Sequence, residues 1–176
     1  MKKIIALLLL ALAVVSCQKK EEPAPQSQFP AGPVQSGPLQ NETVMLKDVL
    51  KNDPKNLGAW IKLGNTLMDA GRFGEAVDAY QKALALDPKN VDVRVDMGTC
   101  YKNSGRPDMA VKEYRKAIEL DPRHLNAHRN LGVVLANELK DKAGAVKEFE
   151  KYLELAPNAP DAATIRSIIQ QLKAGK

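Results

Sequence analysis

The 176-residue sequence predicts an all-α fold, a solenoid in which helix-turn-helix units stack side by side. Three prolines, each preceded by aspartate, recur every 34 residues: Pro54, Pro88 and Pro122. Three glycines recur at the same interval: Gly64, Gly98 and Gly132. An aromatic residue follows this period, with one extra residue before the last: Tyr80, Tyr114 and Phe149. A fixed period of this length indicates a repeat array, which binds partners along an extended surface and seldom carries chemistry.

Each unit has the pattern of two helices. In the first unit, Trp60, Leu63 and Leu67 lie three and four residues apart on one face of the first helix. Ala76 and Tyr80 mark the second helix, which the following proline ends because proline lacks an N–H. A glycine inside a helix costs about 1 kcal/mol relative to alanine, so the recurring glycine of the first helix predicts that a neighbouring helix packs closely there.

The turn between the two helices differs in the third unit. Gly71 and Gly105 predict a left-handed C-cap in the first two units. The third turn, from Asn137 to Lys142, lacks a glycine and is one residue longer. We therefore expect the third unit to depart most from the others.

This pattern resembles the tetratricopeptide repeat (TPR). The matching residues of the first unit are Trp60, Leu63, Gly64, Ala76, Tyr80, Ala83 and Pro88. The departures in later units are Arg94, His128 and Tyr152. The resemblance gives three full repeats: 57–90, 91–124 and 125–159. An N-terminal half-repeat helix over 41–53 precedes them.

A C-terminal helix over 160–173 is predicted to cap the array. Ile165, Ile168, Ile169 and Leu172 form one apolar stripe, which a terminal unit needs to cover the last hydrophobic face. An independent amphipathic membrane helix is the alternative interpretation.

The N-terminus predicts export and lipidation. Residues 1–16 have the pattern of a signal peptide, a charged start followed by a short apolar run. The sequence Val14-Val15-Ser16-Cys17 resembles a bacterial lipobox, which implies that Cys17 is lipid-modified. Residues 17–40 form a proline-rich linker that tethers the repeats. The predicted location is the cell envelope, at the outer membrane facing the periplasm, and the alternative is a non-lipidated secreted periplasmic protein.

The remaining candidates for chemistry are few. The net charge of +5 is spread along the helices and does not indicate a nucleic-acid site. Cys100 is predicted to be a buried core residue rather than a reactive thiol. His124 and His128 are four residues apart, but no acidic residue accompanies them at a ligand spacing, so no metal, cofactor or small-molecule substrate is predicted.

The resemblance places a partner-binding groove on the first helices. Carried over to this chain, its positions are Ile61, Asn65, Met68, Asp69, Val95, Thr99, Lys102, Asn103, Asn126, Arg129 and Val133. Some TPR domains hold a peptide's terminal carboxylate with lysine, arginine and asparagine. Only Asn65 matches that set, because Ile61, Asp96, Asn126 and Asn130 occupy the other places, so we predict a different mode of binding.

Taken together, the sequence predicts a non-enzymatic, membrane-anchored adaptor that binds a protein or peptide in this groove. A thiol- or metal-dependent redox or enzyme accessory factor, using Cys100 or the two histidines, is the alternative from a different class.

Overall fold

The computed structural model describes residues 37–175, a range that contains α-helices joined by turns and no β-strand. Its helices are α1 Pro38–Asn52, α2 Leu57–Asp69, α3 Phe73–Leu86, α4 Val91–Asn103, α5 Pro107–Leu120, α6 Leu125–Asn137, α7 Lys142–Leu155 and α8 Ala162–Lys173. The pairs α2/α3, α4/α5 and α6/α7 are three helix-turn-helix repeats. The half-repeat helix α1 and the capping helix α8 flank them, which confirms the predicted fold class.

The Asp-Pro pairs and the residues after them build the turns between repeats. Three aspartates, each preceding a repeat proline, accept the backbone N–H two residues later at 2.9–3.2 Å: Asp53, Asp87 and Asp121. Two residues after each proline, an N-cap side chain accepts a backbone N–H of the next first helix: Asn56, Asn90 and His124. The 34-residue period therefore repeats a complete helix stop and start.

The recurring glycines make room for the recurring aromatic rings. A Cβ atom on Gly64 would lie 2.4 Å from the ring of Tyr80. The equivalent distances are 2.6 Å from Gly98 to Tyr114 and 2.7 Å from Gly132 to Phe149. All three rings are fully buried. The predicted close approach is confirmed, and what comes close is the ring carried by the second helix of the same repeat.

The turns inside the repeats confirm the expected difference. Gly71 and Gly105 adopt left-handed backbone angles, with φ of 71° and 73°. In the longer third turn, the non-glycine residue Lys140 takes this role, with φ of 57°. The next residue, Asp141, caps α7 by accepting the Gly144 N–H at 2.8 Å. The extra residue therefore supplies a capping side chain that the first two second helices lack.

The helices stack so that the first helices lie closest together. Each helix packs on its neighbours in sequence, and α2 also contacts α4, while α4 contacts α6. The second helices α3, α5 and α7 make no comparable contacts with one another. The stack therefore curves with the first helices on its inner side.

The two ends correct and extend the expectations. Helix α1 begins at Pro38, within the stretch expected to be linker up to residue 40, because proline suits the first turn of a helix. At the other end, Ile165 and Ile169 of α8 are buried against the last repeat, as expected of a cap. No helix within residues 37–175 is long and apolar enough to cross a membrane.

Candidate functional site

The predicted groove lies on the inner side of the stack, along α2, α4 and α6. We call these eleven predicted positions the first-helix groove. Its exposed members are Asn65, Asp69, Asn103 and Asn126. Its half-buried members are Ile61, Met68, Thr99, Lys102, Arg129 and Val133. All of these present some surface, and only Val95 does not.

Val95 is a correction to the predicted groove. Its side chain is only 4% exposed and belongs to the core. The reason is that α4 has a first helix on each side, α2 and α6. Ile61 holds the equivalent position on α2 and stays half-buried, since no described helix precedes α2 on that side.

The groove's middle positions are matched to the rings behind them. Asn65 Oδ1 accepts a hydrogen bond from the Tyr80 hydroxyl at 2.7 Å. The Thr99 and Tyr114 hydroxyls lie 3.1 Å apart. In the third repeat the ring belongs to Phe149, and the facing residue is Val133. A buried hydroxyl needs a partner and a phenyl ring does not, so the two positions change together.

Arg129 is engaged by the capping helix. Its Nε donates to Asp161 Oδ2 at 2.5 Å, and the Tyr152 hydroxyl donates to Asp161 Oδ1 at 2.5 Å. Both hydrogen bonds lower the pKa of the Asp161 carboxyl, and the bond from Tyr152 has the larger effect. The unusual Tyr152 of the third repeat is thereby explained as part of the contact that holds α8. This network joins residues 32 apart in sequence, and the repeat pattern gave no sign of it.

The centre of the inner side is acidic. Asp96 is half-buried and makes no side-chain hydrogen bond within residues 37–175. Burial raises its pKa, and the nearby carboxylate of Asp92 adds to the effect. Nδ1 of His124 accepts the Ala127 N–H, so the other ring nitrogen, Nε2, is the donor. Asp92 accepts a hydrogen bond from this Nε2 at 2.9 Å. A negatively charged group would therefore be repelled at this position.

Three hydrogen-bond donors of the groove have side chains that make no hydrogen bond within residues 37–175. Lys102, Asn103 and Asn126 donate no side-chain hydrogen bond to any residue between 37 and 175. They supply an ammonium and two amides on α4 and α6. Together with the half-buried Met68 and Val133, they form a mixed polar and apolar lining that suits a peptide.

On the outer side, each first helix bonds back to the proline turn before it. In the first repeat the Trp60 indole donates to the Pro54 carbonyl at 2.9 Å. In the second repeat the Arg94 guanidinium donates to the Pro88 carbonyl at 3.0 Å. In the third repeat the His128 imidazole donates to the Pro122 carbonyl at 3.1 Å. This shared bond explains why three such different residues occupy one repeat position. From the repeat motif alone, Arg94 and His128 are only departures from the consensus.

The two departures also carry acidic partners. Arg94 pairs with Glu113 at 2.9 Å, and His128 pairs with Glu148 at 2.7 Å. In the first repeat the equivalent of these glutamates is the buried Ala79. The two pairs lie on the walls of two open surface clefts, of 810 and 460 Å³. The partner changes with the residue because a buried polar or charged group needs a partner.

The residues of the alternative chemical sites are buried or already in contact with protein groups. Cys100 is completely buried, as predicted, and burial raises the pKa of its thiol to about 12. Both ring nitrogens of His128 and both of His124 already contact protein groups. Residues 37–175 contain no cluster of three or more potential metal ligands. The predicted lipidation site Cys17 lies outside the described residues.

The solved structures that this chain resembles include TPR proteins. A crystal structure of MamA is 25% identical with a TM-score of 0.70, and the match covers 76% of this chain and 75% of that one. The first TPR of Spaghetti (RPAP3), bound to the HSP90 peptide SRMEEVD, is 26% identical with a TM-score of 0.62, covering 69% of this chain and 96% of that one. The Yersinia enterocolitica type III secretion chaperone SycD, in complex with a YopD peptide, shares the fold at 18% identity and a TM-score of 0.62, covering 73% and 95%.

No curated protein matches the chain. A family model does: the TPR domain of cytochrome c-type biogenesis protein H matches residues 28–163, most of the sequence. The match takes in all three repeats and the half-repeat helix. This chain therefore belongs to the cytochrome c-type biogenesis protein H TPR domain family.

Proposed function

We propose that this protein is a membrane-anchored TPR adaptor of the bacterial envelope, which holds a protein or peptide partner in its first-helix groove. The observation that carries the proposal is the set of free donors Lys102, Asn103 and Asn126 on the inner side of the stack. They lie beside apolar surface and are not used by the fold. The TPR of RPAP3, which has the same architecture at 26% identity, holds a peptide.

The charges of the groove indicate which kind of peptide fits. Asp96 occupies one of the places by which the carboxylate-binding type of TPR groove holds its ligand, and Arg129 is bonded to Asp161. A terminal carboxylate would approach the half-buried Asp96 carboxylate. We therefore propose that the partner contributes an internal segment, whose backbone carbonyls accept from the amides and Lys102.

Photocrosslinking in cells tests this groove. A photoreactive residue at Asn103 or Asn126 is expected to capture one partner, and the same residue at the exposed Asp78 on α3 is the control. Lys102→Glu should reduce capture at least about tenfold, the cost of a lost charge-assisted hydrogen bond together with a repelling charge. Equal capture at Asp78, or capture unaffected by Lys102→Glu, would contradict the groove proposal.

The membrane anchor is a separate part of the proposal and rests on the sequence around Cys17. Two or more acyl chains give stable attachment, since each buried CH₂ contributes about 0.8 kcal/mol. Cells fed a clickable palmitate analogue should label the wild-type chain and leave Cys17→Ser unlabelled. Equal labelling of both chains would rule out Cys17 as the anchor, and labelling of neither would favour the non-lipidated secreted form.

The family match favours one class of partner. The matching domain is named for cytochrome c biogenesis, so the first partner to test is a c-type cytochrome polypeptide before haem attachment. The full chain should bind this polypeptide more tightly than the folded holocytochrome, because only the former offers an extended segment. Loss of this binding in Lys102→Glu would place the contact in the groove, and equal binding of both forms would contradict this choice of partner.

The thiol alternative makes a contrasting prediction. With its pKa raised to about 12 by burial, the Cys100 thiol is protonated at neutral pH and shielded from solvent. A thiol reagent should label Cys100 only after denaturation. Rapid labelling of the folded protein would support the redox alternative.

A further inference from the structure

One face of helix α1 is not covered by any residue from 37 to 175. Met45 is 69% exposed and Val49 is 45% exposed, and the two lie four residues apart on the same side of the helix. The opposite side of α1 is packed, with Thr43 and Leu50 buried. The exposed pair therefore belongs to a second face of α1, which has no partner within the described part of the chain.

The repeat symmetry identifies what this face lacks. A shift of one 34-residue period places Met45 on Ala79 and Val49 on Ala83, which are 2% and 0% exposed in α3. These positions face the first helix of the same repeat. The pairing of Arg94 on α4 with Glu113, the equivalent of Ala79 on α5, demonstrates this orientation.

The size and shape of the missing element follow from the complete repeats. Each of the three first helices has 13 residues and presents an apolar stripe to its second helix. In the sequence, the longest proline-free run of residues 18–36 has five residues, whereas a first helix has 13. This stretch is therefore a poor source of the cover.

A second copy of this chain is a poor cover. It could offer only its own α1, since its other helices are already packed. Asp48 lies on the same face as Met45, three residues on, and its exposed carboxylate pairs with Lys51 at 2.7 Å. Pairing two α1 helices about a two-fold axis would bury little apolar surface beyond Met45 and Val49 of each copy, well below the roughly 1,200 Å² that a stable interface buries.

We propose that the Met45–Val49 face of α1 docks an amphipathic helix of another protein, which completes the half-repeat. The docked helix has aliphatic residues at i, i+3 or i+4 and i+7, and a lysine or arginine that meets Asp48. Small or aliphatic side chains suit it opposite Met45, which is much larger than Ala79. This face is distinct from the first-helix groove, so the two sites can bind separate segments.

A helical probe taken from the chain itself tests the proposal. It is the peptide of residues 57–69 with Trp60→Ala, stapled on its polar side to hold the helix and labelled for fluorescence anisotropy. The peptide has the length of a first helix, an apolar stripe and the cation Lys62. The full chain in detergent is expected to bind it saturably, and hydrogen exchange within α1 should slow.

Three variants locate the binding. Met45→Glu with Val49→Glu should weaken it at least about tenfold, and Asp48→Lys should weaken it about threefold. Gln40→Glu places the same charge on an exposed part of α1 away from Met45, Asp48 and Val49, and should leave affinity unchanged. Lys102→Glu should also leave it unchanged, which separates this site from the groove. Urea unfolding checks that every variant remains folded.

Two results would overturn the proposal. One is absence of probe binding, or equal loss in Gln40→Glu and in the Met45/Val49 pair. The other is a dimer of the full chain, in sedimentation, that Met45→Glu with Val49→Glu dissociates. That second result would assign the face to a second copy of the chain.

Discussion

The first and third repeats share one backbone plan and fill its outer side differently. In the first repeat, Trp60 lies over the small, buried Ala79, and its indole N–H bonds to the turn before it. In the third repeat, His128 makes the same bond to its turn and pairs with Glu148. An apolar contact has been replaced by an ionisable one at the same place in the fold.

The rings and turns differ in the same coordinated way. Tyr80 bonds to Asn65, whereas Phe149 faces Val133 and needs no partner. The first turn uses Gly71, whereas the third uses Lys140 and one extra residue. The 34-residue period therefore constrains sets of contacting residues and not single positions. A departure from the motif is tolerated when the residue it touches changes with it.

The largest expected effect comes from filling the space beside a ring. Gly64→Ala should destabilise the protein by about 2–3 kcal/mol, because its Cβ would overlap a Tyr80 ring that Asn65 also holds in place. Gly132→Ala should cost less, about 1 kcal/mol, because the Phe149 ring lacks that bond and can shift. Urea unfolding at equilibrium measures both.

Gly74→Ala is the control for these glycines, since nothing lies within 4 Å of its Cβ position. It should stabilise α3 by about 0.5 kcal/mol through helix propensity. If Gly64→Ala and Gly132→Ala have equal effects, the hydroxyl bond does not restrain the ring, and this difference between the repeats disappears.

Removing the acidic partner tests the ionisable contact of the third repeat. Glu148→Ala should cost about 2 kcal/mol, because it leaves a buried imidazole nitrogen without a partner. His128→Trp combined with Glu148→Ala recreates the first repeat and should recover most of this loss. Glu154→Ala, on the same helix and exposed, should change stability by less than about 0.5 kcal/mol. A double variant as unstable as Glu148→Ala would show that the two sets are not interchangeable.

Much of the fold could be predicted because the period appears in local signals. Proline, glycine and aromatic residues mark helix stops, close contacts and core positions, and each acts within its own repeat. The groove was harder to predict. Val95 and Ile61 occupy one repeat position, yet only Val95 is buried, because burial depends on whether a helix lies on both sides.

The hydrogen bonds that the third repeat makes could not be predicted from the repeat motif. Arg129 and Tyr152 both bond to Asp161, which lies outside the repeats. The Glu148 partner of His128 is one residue further away than the repeat spacing suggests, because the third turn is longer. Such contacts depend on how the repeats end and on a local insertion, and the consensus positions carry neither kind of information.

The contact of the third repeat with its cap predicts a response to acid. The pKa of Asp161 is lowered in the folded protein, mainly by the Tyr152 hydroxyl and then by Arg129. A lowered pKa means that the carboxylate stabilises the fold above its unfolded pKa of about 3.9, and that this contribution is lost as the pH falls through the folded value. Thermal midpoints measured from pH 6 to pH 3 should therefore fall less steeply for Asp161→Asn than for the wild type. Parallel curves would show that Asp161 does not couple α8 to protonation.

The smallest expected effect concerns the turn that distinguishes the third repeat. Lys140→Gly removes the strain of a left-handed lysine, roughly 1–2 kcal/mol. It also gives up the Lys140 Nζ bond to Asn137 O and makes the unfolded chain more flexible, which offset roughly half of the gain. The net stabilisation by Lys140→Gly should be about 0.5 kcal/mol. Gly71→Lys in the first repeat should destabilise the protein by a similar amount. Urea unfolding of both variants therefore tests the preference of a left-handed backbone position for glycine, once by adding glycine and once by removing it. If Lys140→Gly destabilises the protein, the lysine's bond to the end of α6 outweighs its strain, and the longer turn would be as well adapted as the glycine turn it replaces.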